Sequence, residues 1–370
     1  MRVALVLGSS AGGVGRHVED LVSGLSAAGH DVLVACPTAV AEHFGLVEAG
    51  ARHIPVEIAA LPHPWHDARA AARLRQVAAH ADVVHAHGLR AGALCSLVRR
   101  PRTPVVVTLH NAAPAGPVAR RVFGALERIV AARADLVLGV SADLVDRQRA
   151  LGARQVDIAV VAAPPPSSVA AAPDAVRAGL DLEPDRPLVV NVGRLADQKN
   201  HGLLLDVAAA LTDLRPHPLF VVAGEGPLRE RLQERIDTEH LPVRLLGHRR
   251  DVPDLLAAAD LVISTADWEG QPVWIQEALH QGAAIVATDG GGTGAVLGSA
   301  AELVAVGDRT GLIEAVRHAL ADPLRRERMR ERSRGRSLEL PTSDDAVAAA
   351  TAAYSLARRV VDRTPGDDVE

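Results

Sequence analysis

Short runs of Val, Leu, Ile and Ala alternate along the chain with longer Ala-, Leu- and Arg-rich stretches in which apolar residues recur at helical spacing. A strand with one wet face would alternate apolar and polar positions. Continuous apolar runs are instead the mark of parallel strands covered on both faces by helices. The pattern predicts strands over residues 2–7, 31–35, 53–57, 82–85, 104–109 and 135–140, with helices such as 14–28 and 91–100 between them. The rhythm stops near residue 164, where Pro164, Pro165, Pro166, Pro173, Pro184 and Pro187 crowd together, and it restarts with strands over 188–192, 219–223, 243–246, 261–264 and 284–287. The expected organisation is a doubly wound domain over 1–165, a linker over 166–187 and a second doubly wound domain over 188–343. Helical stretches over 324–334 and 344–361 follow, the last either capping the second domain or packing back on the first, and a frayed tail is expected over 364–370.

In open parallel sheets ligands bind beyond the carboxyl ends of the strands, so the loops after each strand are where chemistry belongs, and the cleft between two such domains is the expected site. The first strand runs into Gly8-Ser-Ser-Ala-Gly-Gly-Val-Gly15, a turn that lets backbone approach an anion. It does not form the dinucleotide fingerprint, and no acidic residue ends the second strand to hold a ribose, which argues against a dehydrogenase. In the second domain Arg194 and Lys199 occupy the loop after the strand over 188–192. Two cations at a strand end suit a diphosphate, Arg as a rigid fork and Lys as a mobile point charge. The strand over 261–264 leads to Glu269 in a loop, Pro272 in a first helical turn and Glu277 inside the helix, with Trp268 and Trp274 alongside. A loop carboxylate and a helical carboxylate around a helix N-terminus can hold hydroxyl groups on both sides of a bound phosphate.

Composition sharpens this picture at one point. Among 40 basic residues the chain has a single lysine, Lys199, and its three asparagines, Asn111, Asn191 and Asn200, all fall in candidate site segments. Coding bias explains the scarcity but not the positions. The net charge of −5 excludes a general nucleic-acid binder. Residues 1–170 nevertheless hold 17 Arg against 13 acidic residues. The basic amphipathic stretch over 118–132 reads as a helix packed on the sheet, with peripheral contact to an anionic membrane as the alternative. Two cysteines, Cys36 and Cys95, form no pair motif and fit a reducing cytoplasm; no stretch reads as a leader or a membrane span. His85 and His87 share a strand face without an acidic or cysteine neighbour, so His85 reads as a core histidine, while His110 at a strand end is the better placed for function.

Together these segments resemble the retaining glycosyltransferases of family 4, with the two-domain GT-B fold, over nearly the whole chain. The resemblance rests on Gly12-Gly13, Asp82-Val-Val-His-Ala-His-Gly88, Thr108-Leu-His-Asn111, Gly193-Arg194 with Lys199-Asn200, Gly224-Glu-Gly-Pro-Leu228, Leu246-Gly-His-Arg249, and Glu269 followed by Glu277. It implies that Arg194 and Lys199 neutralise the diphosphate of a nucleotide-sugar donor and that Glu277 binds the ribose. Glu269 would contact sugar hydroxyls, and the amides of Gly270, Gln271, Pro272 and Val273 would approach the sugar and phosphate, Pro272 by position alone since it has no N–H. Gly12 and Gly13 would close over the diphosphate, and His110 would sit near the reacting carbon. Gly193 and Gly226 would belong to the donor site, and His248 and Arg249 would meet the base through backbone groups.

The implied activity is front-face transfer of a hexose-type sugar from a UDP- or GDP-sugar to a hydroxyl acceptor, small molecule, glycan or lipid-linked, without metal or other cofactor. Two departures stand near the expected sugar site: Asn111 where relatives often carry Asp, and Gly291-Gly-Thr-Gly-Ala295 where they carry Gly-Gly-x-Pro-Glu. The alternatives are a sugar-nucleotide epimerase of the same architecture and a non-catalytic sugar-nucleotide-binding relative.

Overall fold

The computed structural model describes residues 1–9, 12–59, 61–112, 116–163 and 169–363. Pro164, Pro165 and Pro166 at the expected boundary between first domain and linker, Ser10 and Ala11 of the glycine-rich turn, and the tail over 364–370 lie outside the described residues. The chain divides into two compact units, one formed by Met1–Ala162 with the segment from Pro341 onward, the other by Ala163–Leu340.

In the first unit β1 (Arg2–Leu7), α1 (Gly13–Ala27), β2 (Asp31–Cys36), α2 (Thr38–His43), β3 (Arg52–Pro55), α3 (Pro64–Ala79), β4 (Val83–His87), α4 (Leu89–Leu97), β5 (Val105–Leu109), α5 (Pro117–Arg133), β6 (Leu136–Gly139), α6 (Ala142–Ala150) and β7 (Val156–Ile158) follow in order. The strands form one parallel sheet, β3-β2-β1-β4-β5-β6-β7. Its order reverses between β1 and β4, whose last residues Leu7 and His87 lie side by side. The interior strands are buried on both faces, which is why their sequences carry no alternation. β4 runs to His87, two residues beyond the apolar run, because β5 continues to pair with it there through His85↔Val106 and His87↔Thr108. The α1 stripe of His17, Val18, Leu21, Val22 and Leu25 packs inward.

The second unit holds α7 (Pro173–Gly179), β8 (Leu188–Val192), a 3₁₀ turn (Asp197–Lys199), α8 (His201–Ala210), β9 (Leu219–Ala223), α9 (Arg229–Thr238), β10 (Val243–Gly247), α10 (Val252–Ala258), β11 (Leu261–Ser264), α11 (Val273–His280), β12 (Ile285–Asp289), α12 (Thr293–Leu297), β13 (Glu302–Ala305), α13 (Arg309–Ala321) and α14 (Pro323–Ser337). Its parallel sheet, β10-β9-β8-β11-β12-β13, reverses order between β8 and β11. The stretch from residue 169 to 187 belongs to this unit: α7 packs on α10, and Arg177 donates to Asp260 at 3.0 Å while Asp260 also accepts from the Leu188 amide. The last helix, α15 (Ser343–Arg363), belongs to the first unit and packs on α1, where a Cβ on Gly24 would lie 2.3 Å from Val347.

Two edge strands, β7 and β13, have no counterpart among the apolar runs. Both are short and partly exposed, so solvent rather than helices covers part of their surface and their sequences carry no continuous apolar stretch. No helix among the described residues is long and apolar enough to cross a membrane. The apolar side chains of α5, Val122, Phe123, Leu126 and Ile129, are half-buried, and the helix packs on α4.

Candidate functional site

In the second unit the loops leaving β8 and β11 meet at the switch point. Asn191, one residue before β8 ends, donates from Nδ2 to the Ile263 carbonyl at 2.8 Å and so stitches β8 to β11 just beyond their paired residues. The chain then passes Gly193 and the exposed Arg194 into the 3₁₀ turn that ends at Lys199. Asn200 follows in the left-handed region, φ 46°, caps α8 by accepting from the Leu203 amide, and donates to Asp267 at 2.8 Å. Thr265 Oγ1 donates to the Lys199 carbonyl at 3.0 Å, and Gln198 Nε2 donates to the Trp268 carbonyl at 2.7 Å. These bonds fix the 197–200 turn against the 265–269 loop, and the Lys199 ammonium reaches the Glu269 carboxylate. Glu269 is buried; the Lys199 side chain keeps 21% of its surface exposed. Among the described residues Arg194 makes no side-chain hydrogen bond or ion pair.

Close backbone approach explains the glycines around this pair. A Cβ on Gly224 would stand 1.9 Å from the Gly193 carbonyl oxygen, and one on Gly226 would stand 2.4 Å from that of Leu195. These contacts let the β8 and β9 loops zip together through Gly193 N to Ala223 O, Leu195 N to Glu225 O and Leu228 N to Leu195 O. Gly290 and Gly291 serve the neighbouring junction: added Cβ atoms would lie 2.3 Å from the Asp267 oxygen and 2.2 Å from the Glu269 oxygen. Gly193 differs, since a Cβ there would rest against the Lys199 methylenes at 3.6 Å, an ordinary contact.

Gly270 and Gln271 lead to Pro272, which caps α11, so the helix begins at Val273 with its positive end at the same loop. Glu277 is half-buried one turn further on. At the end of β10 Gly247 adopts φ 72°, and beyond it the Arg249 guanidinium turns back onto Asp251, the cap residue of α10, so its side chain is engaged within its own loop. Sequence reasoning missed His201, which is buried at the first position of α8 with no hydrogen-bond partner for either ring nitrogen; burial pushes its imidazole down to about 4.

In the first unit Gly12, φ 98°, caps α1 with open space around it, and Gly13 opens the helix. His110 lies just past β5 and is buried. It belongs to a cluster: its Nε2 lies 3.1 Å from His87 Nδ1, and the His17 ring packs against both, with centroids 5.6 and 5.7 Å away. His85 lies tilted against His87 with ring centroids 4.2 Å apart and bonds Thr108 Oγ1 at 2.7 Å and Tyr354 Oη at 3.0 Å, which makes it a satisfied core histidine. Burial holds His17 down to about 4 and His85 to about 3, and holds His87 and His110 well below the usual range, so all four rings are neutral at pH 7. His17 and Tyr354 were not anticipated; the signal for His17 was its place on the apolar stripe of α1. No group of three or more His, Cys, Asp or Glu among the described residues could hold a metal ion.

Two parallel α/β units, each with polar side chains gathered at the point where strand order reverses, have the architecture of the GT-B fold. Residues 12–164 match the glycosyl transferase 4-like domain, and residues 174–336 match the glycosyl transferases group 1 domain. The chain is 30% identical to glycogen synthase of Mycobacterium tuberculosis over 408 aligned positions, covering 96% of this chain and 93% of the relative. It is 32% identical to alpha-D-kanosaminyltransferase of Streptomyces kanamyceticus over 162 positions, 42% of this chain and 41% of that one. The Anabaena protein HepE, solved in complex with UDP-glucose, shares the fold with a TM-score of 0.80 at 20% identity, over 96% of this chain and 99% of that chain. The protein belongs to the group 1 glycosyltransferases, of the family 4 type.

Proposed function

We propose that this glycosyltransferase moves a hexose-type sugar from a UDP- or GDP-sugar to a hydroxyl acceptor with retention of configuration and without a metal ion. The observation that carries the reading is the convergence of Arg194, Lys199, Glu269 and the α11 N-terminus at the β8/β11 switch point. Structural neighbours solved with UDP and UDP-glucose support a nucleotide-sugar donor. Cleavage of the bond from the anomeric carbon to the diphosphate leaves its electron pair on a phosphate oxygen. Preorganised cations and amides aimed at that growing charge are the largest lever available. Arg194 and Lys199 supply the cations, and the first-turn amides of α11 supply neutral donors. Glu269 pairs with Lys199 and takes sugar hydroxyls when donor binds, while Glu277 holds the ribose. The acceptor oxygen forms its bond on the face the diphosphate leaves, and the acceptor proton passes to the departing phosphate oxygen.

The test has two stages. Thermal unfolding with UDP, GDP and ADP identifies the base, since a ligand at about 100 times its dissociation constant adds about 2.7 kcal/mol. The matching α-linked sugar nucleotide is then supplied with a panel of hydroxyl acceptors in the presence of EDTA, and the product anomer is read by NMR. An α-linked product with undiminished turnover in EDTA is expected; a β-linked product or loss of turnover with the chelator overturns the corresponding part of the proposal.

A further inference from the structure

The first unit contains a cavity of about 430 Å³ between α15 and the sheet, within the range of small-ligand pockets. Two contacts of α15 frame it. Near its start Val347 presses on Gly24 of α1, and Tyr354 reaches His85 Nδ1 at 3.0 Å. Around these anchors the helix turns Ala349, Ala350 and Ala353 toward the sheet, and the small side chains leave a space that Leu21, Leu136 and Leu138 wall on the other sides.

One buried polar side chain borders that space without a hydrogen-bond partner among the described residues. His17 is 4% exposed, and among the described residues neither ring nitrogen makes a hydrogen bond. His85, which also borders the cavity, has both nitrogens engaged, by Thr108 and Tyr354. A hydroxyl placed against a His17 ring nitrogen would thus meet a group that no side chain already bonds. Asp157 and Arg359, of opposite charge, stand among the residues around the cavity, while its walls are aliphatic.

We propose that this cavity binds a small neutral aliphatic alcohol, its chain against the leucines and alanines and its hydroxyl on the His17 ring. A neutral imidazole in an apolar wall bonds a hydroxyl without the desolvation penalty that a carboxylate or ammonium would carry there. All the residues that line the site belong to the first unit. It owes nothing to the proposed transfer reaction, so its failure would leave that reading untouched.

The probe is 1-octanol, compared with octane and octanoate, on the full-length protein. Thermal unfolding and the NMR resonances of the His17 ring are followed in titration. Octanol is expected to give a saturable rise in Tm and a saturable shift of the His17 ring, with octane and octanoate each weaker by about tenfold or more. Ala353→Leu, which fills the cavity, should abolish the octanol response, and Ala349→Val should weaken it if the larger change unfolds the chain. His17→Phe should bring octanol affinity down to that of octane. Equal responses to all three probes, an octanol response that survives both cavity-filling variants, or one unchanged by His17→Phe would overturn the proposal.

Discussion

At the switch point of the first unit the polar side chains are four imidazoles kept neutral by burial, whereas at that of the second a cation and a carboxylate stand in contact, one partly open to solvent. Both sheets are parallel and both reverse order after their first strand, so backbone architecture does not set the difference. The side chains on the flanking helices do. α1 places His17, and α15 places Tyr354, over the ends of β4 and β5, and little water reaches the rings. In the second unit the loop bonds among Gln198, Asn200, Thr265 and Asp267 hold Lys199 at the edge, where its charge keeps contact with solvent. A charged cradle can answer charge that develops on a leaving group, and a neutral cluster can only offer hydrogen bonds.

The largest effect that would break this comparison is on turnover. Lys199→Ala should lower kcat by about 10²–10³-fold, the loss typical of one donor to a developing anion. Stability should fall as well, because the change leaves the buried Glu269 carboxylate without its cation, so kcat is compared at a temperature where both variants are folded. His110→Ala should lower kcat less, since it removes a hydrogen-bonding group and no charge. Steady-state kinetics on the two variants with one donor and acceptor rank them, and a larger loss in the His110 variant would reverse the assignment of roles.

Acid should act chiefly on the first unit. The His17 imidazole titrates near 4 in the fold and near 6.5 when unfolded, so between those values the unfolded chain binds the extra proton. Stability is full above pH 6.5, falls as pH drops from 6.5 to 4, and His17 alone accounts for roughly 3 kcal/mol over that window. Urea unfolding across pH 4–7 measures the slope, and His17→Gln should flatten it by about 1.4 kcal/mol per pH unit. His201, the buried histidine of the second unit, titrates over a similar window, so His201→Gln gives the matching slope for that side.

Gly224→Ala and Gly193→Ala make the same chemical change at touching positions with different expected outcomes. The first drives a Cβ to 1.9 Å from the Gly193 carbonyl and should cost about 1–3 kcal/mol by forcing the two loops apart. The second meets only Lys199 methylenes at 3.6 Å, so the fold should tolerate it and any loss should appear in donor binding. Unfolding curves and donor KM for both variants separate a glycine kept for packing from one kept for ligand approach.

Much of this was legible in the sequence. Strands over 2–7, 188–192, 219–223 and 261–264 follow from apolar runs because those strands are buried on both faces. Edge strands β7 and β13 were silent for the converse reason. The sequence puts Arg194, Lys199 and Glu269 in loops after strands and Glu277 in the helix that follows, and the structure brings Lys199 and Glu269 together. The pairing of Lys199 with Glu269 across 70 positions could not be read from the sequence, since it depends on how two loops are laced by backbone contacts. The Gly224-Glu-Gly motif was visible as a motif, but only the measured approach of Gly224 to Gly193 and of Gly226 to Leu195 explains it. The histidine cluster was half visible: alternation put His85 and His87 on one face, while His17 and Tyr354 come from helices whose sequence spacing says nothing of what they cover.

The smallest expected effect concerns Asn200, where two roles coincide. The residue sits at φ 46°, a conformation glycine and asparagine tolerate best, and its side chain both caps α8 and bonds Asp267. Asn200→Ala loses the cap, the Asp267 bond and the tolerance of positive φ, and should cost about 1–2 kcal/mol. Asn200→Gly loses the side-chain bonds but keeps the backbone conformation free, so its stability cost should be only a few tenths of a kcal/mol. Both remove the Asn200–Asp267 bond, one of those that tie the 197–200 turn to the β11 loop. If that tie positions Lys199, the two variants should show the same rise in donor KM despite their different stabilities. A KM effect that tracks stability instead would mean that the turn is held by its backbone alone, through Asp267 N to Gln198 O and Thr265 to the Lys199 carbonyl. The charged cradle would then owe its geometry to the same kind of main-chain lacing that the glycines provide.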